Sequence, residues 1–142
     1  MTELGLTHVA FAVRNIEASI EFYQRYAAMT VIHRRTDPGS SFEVAWLTDF
    51  TRPFKIVLIE GPGLDDTPLG PFGHLGVGCV SRDQVDTLAA SARAGGILVK
   101  DATDSGPPVG YWALIRDPDG NTLEVAHGQT AAFTVEQAER LL

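Results

Sequence analysis

The sequence predicts an α+β fold made of two tandem βαβββ modules. Three observations predict it. The first is a repeat: His8 falls on His74, and Val9-Ala10-Phe11-Ala12-Val13 matches Leu75-Gly76-Val77-Gly78-Cys79 in character. Further on, Leu47 overlays Leu114, Ile56 overlays Leu123 and Val57 overlays Glu124, with one inserted residue reconciling the halves. The second is the pattern within each half, which reads strand, helix, strand, strand, strand. The third is size: neither half closes a core alone, so two packed copies are expected.

The elements follow in order. Leu6 to Val13 reads as a strand, and Asn15 as the N-cap of a helix over about 16–28. Ile16, Ile20, Tyr23 and Ala27 recur at helical spacing and should face the core. Met29 to Arg35, Phe42 to Thr48 and Phe54 to Glu60 are strands, completing a first module over about 6–60. Residues 61–73 carry Gly, Pro and Asp and form a linker. The second module, about 74–127, opens with a strand at His74. Ser81 and Gln84 then have the form of a capping box, and Gly95-Gly96 ends the helix. Ile97 to Lys100 is a strand, and Asp101 to Gly110 a Gly/Pro-rich loop. Tyr111 to Val125 is a hairpin that turns at Asp117-Pro118-Asp119-Gly120. Thr134 with Gln137 predicts a C-terminal helix over about 135–142, with Val135, Ala138, Leu141 and Leu142 on one stripe. The whole of 1–142 reads as a single domain.

Composition narrows the function. Of 142 residues, 44% are hydrophobic, enough for one good core. The net charge is −7, from 11 basic and 18 acidic residues, with no basic cluster. Nucleic acid and anionic membrane are therefore not expected partners. Cys79 is the only cysteine, which excludes an intramolecular disulfide and suits a reducing compartment. No signal peptide or spanning apolar run is read, so a cytoplasmic location is expected.

The chemistry gathers at Glu124, a carboxylate inside the apolar strand Thr122 to Ala126. An inward carboxylate must be paired, protonated or bound to a metal. The repeat places His8 and His74 at equivalent positions on the first strands, and Val57 and Glu124 at equivalent positions on the last. If the halves are related by a pseudo-two-fold, these positions converge. His8, His74 and Glu124 then form a metal-ligand set with open coordination positions.

These residues carry a resemblance. Leu6-Thr7-His8-Val9-Ala10-Phe11-Ala12-Val13, Ile20-Glu21-Phe22-Tyr23, Gly73-His74-Leu75-Gly76-Val77 and Asp117-Pro118-Asp119-Gly120-Asn121-Thr122-Leu123-Glu124 resemble the vicinal oxygen chelate superfamily. Its members include glyoxalase I, methylmalonyl-CoA epimerase, extradiol dioxygenases, fosfomycin-resistance transferases and bleomycin-resistance proteins. The resemblance implies a curved mixed sheet around a central divalent metal, and frequent homodimers. It carries three metal-ligand positions onto His8, His74 and Glu124. Val57 stands where glyoxalase I and the epimerase place Glu or Gln. Leu114 stands where the dioxygenases and the transferases place a Tyr. Glu60 does not replace the missing carboxylate, because it lies on the opposite strand face from Val57.

Other residues are weighed beside these. Trp112, Leu114, Val57 and Lys100 are candidate pocket residues, and Tyr111 is a candidate acidic O–H beside Glu124. Trp46 falls on the opposite face in the overlay and reads as packing. His33, near a strand end with Arg34 and Arg35, reads as solvated, His127 as an ordinary residue, and Asp117 to Gly120 as a turn without chemistry. The expected function is a metal-dependent enzyme chelating adjacent oxygens of a small substrate. A two-His-one-Glu set favours Fe²⁺ and dioxygenase-like chemistry, with Mn²⁺, Ni²⁺ or Zn²⁺ as other ions. A glyoxalase-like lyase or isomerase, or a thiol transferase, is the alternative. A metal-free binding protein of the bleomycin-resistance type is the alternative of another class.

Overall fold

The structure is a computed structural model that describes residues 6–64, 68–69, 73–129, 135 and 137–141. The chain divides into two compact units. Unit 1 holds residues 1–68 with 118–120, and unit 2 holds 69–117 with 121–142. Of the expected C-terminal helix, the cap Thr134, residue 136 and Leu142 of the stripe lie outside the described residues, while Val135, Ala138 and Leu141 are described and exposed.

Unit 1 contains β1 (His8–Ala12), α1 (Ile16–Ala27), β2 (Thr30–Thr36), β3 (Glu43–Thr48) and β4 (Lys55–Glu60). Its sheet has the order β1-β4-β3-β2, with β1 parallel to β4 and the other pairs antiparallel. Unit 2 repeats this with β5 (His74–Gly78), α2 (Arg82–Ala94), β6 (Leu98–Asp104), β7 (Tyr111–Arg116) and β8 (Thr122–His127), in the order β5-β8-β7-β6. Each half is thus a βαβββ module with a four-stranded mixed sheet, as the repeat predicts.

Each helix covers one face of its own sheet. Ile16, Ile20, Tyr23 and Ala27 are all buried, as their spacing requires. They pack with Leu47, Ile56 and Leu58, and each such side chain contributes roughly 1.5–3 kcal/mol by burial. The second helix buries the smaller Val85, Ala89 and Ala92 against β6, β7 and β8. Both N-caps form as read: Ala18 N–H donates to Asn15 Oδ1 at 3.1 Å, and Gln84 N–H to Ser81 Oγ at 3.1 Å. Gln84 Oε1 reaches back to the Val80 N–H, one residue before the cap, at 2.7 Å.

Two elements differ from expectation. The strand β6 runs on to Asp104, so Asp101 to Asp104 belong to the strand and only 105–110 form the loop. The turn at 117–121 is also more than a reversal. Asp117 accepts the backbone N–H of Asn121 at 2.8 Å and its side-chain amide at 3.1 Å. Asp119 is buried in unit 1, accepting the Arg14 N–H at 2.9 Å and the Ser19 hydroxyl at 3.2 Å. The carboxylate thus satisfies a hydroxyl that the α1 packing buries completely.

Candidate functional site

In unit 2, strand register decides which side chains share the face away from α2. Gly76 pairs with Glu124 across β5 and β8, Leu114 with Glu124 across β7 and β8, and Lys100 with Leu114 across β6 and β7. His74 lies two residues before Gly76 and therefore points to the Glu124 face. Trp112 lies two residues before Leu114 and does the same. The Lys100 ammonium sits 5.3 Å from the Trp112 ring centroid, and Trp112 Nε1 donates to Ser105 Oγ at 2.9 Å. One face thus brings His74, Glu124, Leu114, Trp112 and Lys100 together.

The Glu124 carboxylate is held from the side. Gln129 Nε2 donates to Glu124 Oε2 at 2.8 Å. Gly76 leaves the space opposite it open, and a Cβ there would meet Oε2 at 3.5 Å. Gln129 carries no motif signal in the sequence; only the path of the chain after β8 brings it back to Glu124.

In unit 1, His8 pairs with Lys55, and Ala10 with Val57, across β1 and β4. This is the register of His74, Gly76 and Glu124, so Val57 occupies the Glu124 position. Thr7 Oγ1 lies 3.0 Å from His8 Nδ1, a contact that orients the ring through that nitrogen. The overlay of β3 on β7, however, is corrected. Trp46 pairs with Val57 as Leu114 pairs with Glu124, so Trp46, not Leu47, is the counterpart of Leu114. Leu47 pairs with Ile56 and is fully buried on the helix face. Trp46 therefore shares the face of His8 and Val57. His33 is not a solvated strand-end residue either: it pairs with Trp46, and the two ring centroids are 4.7 Å apart.

Tyr111 is not directed toward Glu124. It alternates with Trp112, and its hydroxyl donates to Asp86 on α2 at 2.5 Å, with the Arg82 guanidinium 4.7 Å from its ring. That hydrogen bond to a carboxylate raises the phenol above its ordinary value, the reverse of what an acid near neutrality needs. Glu60 likewise points away from Val57: its Oε1 accepts the Ile16 N–H at the start of α1, at 3.3 Å. His127 Nδ1 lies 3.0 Å from the Cys79 carbonyl, and burial pushes the Cys79 thiol up, so neither is activated.

The donor set fits a divalent ion in kind. Imidazole and carboxylate suit Fe, Mn, Ni or Zn, and His74 and Glu124 are diagonal neighbours on one sheet face. Among the described residues, no group of three His, Cys, Asp or Glu side chains is placed to hold a metal ion.

Comparison with known proteins gives the family. A family model described as the Glyoxalase/Bleomycin resistance protein/Dioxygenase superfamily matches residues 5–125. The chain belongs to this superfamily. An uncharacterized protein of Pseudomonas aeruginosa is 37% identical over 87% of this chain and 89% of its own length. The lactoylglutathione lyase GLX1 of Arabidopsis thaliana is 30% identical over 83% of this chain, which spans only 42% of that enzyme. Among solved structures, a mutant of the fosfomycin resistance protein FosX from Listeria monocytogenes superposes with a TM-score of 0.67 and 20% identity, covering 94% of this chain and 99% of that one. That crystal holds Mn(II) and 1S,2S-dihydroxypropylphosphonic acid. The superfamily thus includes relatives named as lyases and a fold neighbour that binds a divalent metal.

Proposed function

We propose that this superfamily member is a divalent-metal enzyme in which His8, His74 and Glu124 hold the ion and a small substrate with two adjacent oxygens chelates it. The observation that carries this reading is the shared face of unit 2, where His74 and Glu124 stand beside Trp112, Leu114 and Lys100. His8 takes the equivalent place on β1. The ligands come from one chain or from two chains of a homodimer in the cytoplasm. Among the described residues no helix is long and apolar enough to cross a membrane.

The bound ion supplies Lewis acidity, stabilising negative charge that develops on substrate oxygen. The protein's own residues do the rest. Gln129 fixes one Glu124 oxygen and leaves the other to bind. Trp112 and Leu114 make an apolar flank that keeps water from the substrate. Lys100, held over Trp112, offers positive charge to an anionic substrate. Val57 supplies no fourth ligand, so the proposed set has three protein ligands and open positions.

Within this class, the two-His-one-carboxylate set favours Fe²⁺ and dioxygenation of a catechol- or enediol-like substrate. The second reading, a glyoxalase-type lyase or isomerase, draws support from the name of the plant relative. Elemental analysis of protein purified anaerobically without chelators tests the class. About one Fe, Mn, Ni or Zn per chain, lost in a folded Glu124→Ala variant, is the expected result. Oxygen uptake with catechols then separates the two reactions. Protein that retains no metal and takes none up on titration overturns the proposal in favour of a metal-free binding protein.

A further inference from the structure

Unit 1 carries a second concavity with chemistry of its own, a cavity of about 310 Å³ at the β3–β4 connection. Among the described residues its walls are apolar: Ile32, Trp46, Phe50 and Phe54 line it, with Lys55 and Arg52 as the charged residues and no carboxylate. That lining stands out in a chain of net charge −7. The volume is at the small end of ligand sites, enough for one ring or a short branched body.

Three features hold these walls in place. The β2–β3 register shifts between Val31 and His33, and Ile32 at this bulge is 47% exposed. Phe50 adopts φ 62°, a left-handed conformation that a bulky residue rarely takes, and is 70% exposed. The connection is pinned beneath it: the Thr48 hydroxyl donates to the Phe54 carbonyl at 2.7 Å and accepts the Phe50 N–H at 3.3 Å. An exposed aromatic held in an unfavourable backbone conformation has no role in the core of unit 1.

The cations are placed as well. Lys55 Nζ stands 4.6 Å from the Trp46 ring centroid, so the ammonium is stationed at the aromatic wall. Trp46 is braced from its other neighbours by His33, at 4.7 Å between centroids, and by the Arg35 guanidinium at 5.8 Å. Arg52 lies on the cavity wall, where its charge also acts on the Asp49 carboxylate.

We propose that this cavity binds a small anion carried on a planar apolar body, an arylalkanoate in kind, with the ring between Phe50 and Trp46 and the anionic group at Lys55 and Arg52. The site stands on unit 1 alone and needs no metal. Because Lys55 pairs with His8, an occupant lies on the His8 face of the sheet.

Phenylacetate is the probe, with phenylacetamide as its uncharged isostere. Trp46 fluorescence is read in a Trp112→Phe background, on chelator-treated and on metal-loaded protein. Saturable quenching in both preparations is expected. Phenylacetamide should bind about tenfold more weakly, and so should phenylacetate to Lys55→Met, the loss of one charge-assisted hydrogen bond. Lys55→Arg should retain binding, and circular dichroism checks that each variant is folded. No saturable quenching into the millimolar range overturns the site. Equal binding of acid and amide, or unchanged binding in Lys55→Met, overturns the anion assignment. If Phe50→Asp leaves phenylacetate binding intact and instead turns a dimer into a monomer, the face is a contact between copies of the chain and the proposal fails.

Discussion

Gln129 Nε2 donates to Glu124 Oε2 at 2.8 Å, tying the loop after β8 to the one carboxylate in the proposed ligand set. A ligating carboxylate works best when its other oxygen is held, because the side chain then loses less freedom on binding. Gln129→Leu should therefore leave the fold intact and weaken metal affinity by roughly 10–100-fold. Competitive metal titration of the variant checks this. Wild-type affinity would show that Gln129 does not position the ligand.

The Val57 position invites the opposite experiment. Val57 is 7% exposed and directly opposite Trp46. In metal-free protein, Val57→Glu buries a carboxylate beside an indole and should destabilise the chain by about 2 kcal/mol or more. Added metal should raise the unfolding midpoint of this variant more than that of the wild type. A smaller rise than in wild type would separate position 57 from the metal.

Asp119→Ala should cost about 1–3 kcal/mol in denaturant unfolding, because the Ser19 hydroxyl stays buried after losing its acceptor. The double variant with Ser19→Ala should recover part of the loss. Equal loss in single and double variants would mean that the Arg14 N–H bond carries the effect.

Tyr111 gives a pH signature. Its proton is held by the Asp86 carboxylate, so ionisation breaks a hydrogen bond and sets two negative charges side by side. The folded value lies above 10.0, the unperturbed one. The contribution is therefore complete below pH 10.0 and disappears as pH rises through the raised value. Tyrosinate absorbance of the native protein should include a late-titrating phenol that Asp86→Ala moves back toward the ordinary range, as the difference between the two titrations shows.

The end of α1 gives a backbone test. Ala28 closes the helix at φ 51°, a conformation that costs Ala but not Gly. Ala28→Gly should stabilise the protein by about 0.5–1 kcal/mol by thermal or chemical unfolding. Destabilisation would show that added freedom in the unfolded chain outweighs the relieved strain.

Much of this was legible in the residues. The repeat, both N-caps, the burial of the α1 stripe and the shared face of Trp112 and Leu114 rest on local periodicity and hydrogen-bond chemistry. The face of Trp46 was not legible. The connection from β3 to β4 is one residue longer than that from β7 to β8, and the overlay set the inserted residue elsewhere. A slip of one residue reverses every side chain on a strand, so Trp46 read as packing and Leu47 took its place. The extra length is taken up in the connection that carries Phe50 in its left-handed conformation. Tyr111 was misread for a related reason: adjacency to Trp112 along the chain means the opposite side of the sheet. The roles of Gln129, Asp119 and Asp86 depend on where separate segments meet, which no spacing along the chain encodes.

The burial of Asp119 in the first unit bears on how such a chain could have arisen. A gene cut between residues 68 and 69 would yield a front half in which Ser19 has lost its acceptor, because that acceptor comes from the back half. The two copies are no longer interchangeable parts. Whatever single-module ancestor they descend from, three residues of the second copy now serve in the first. Separately expressed fragments should therefore regain stability only when mixed.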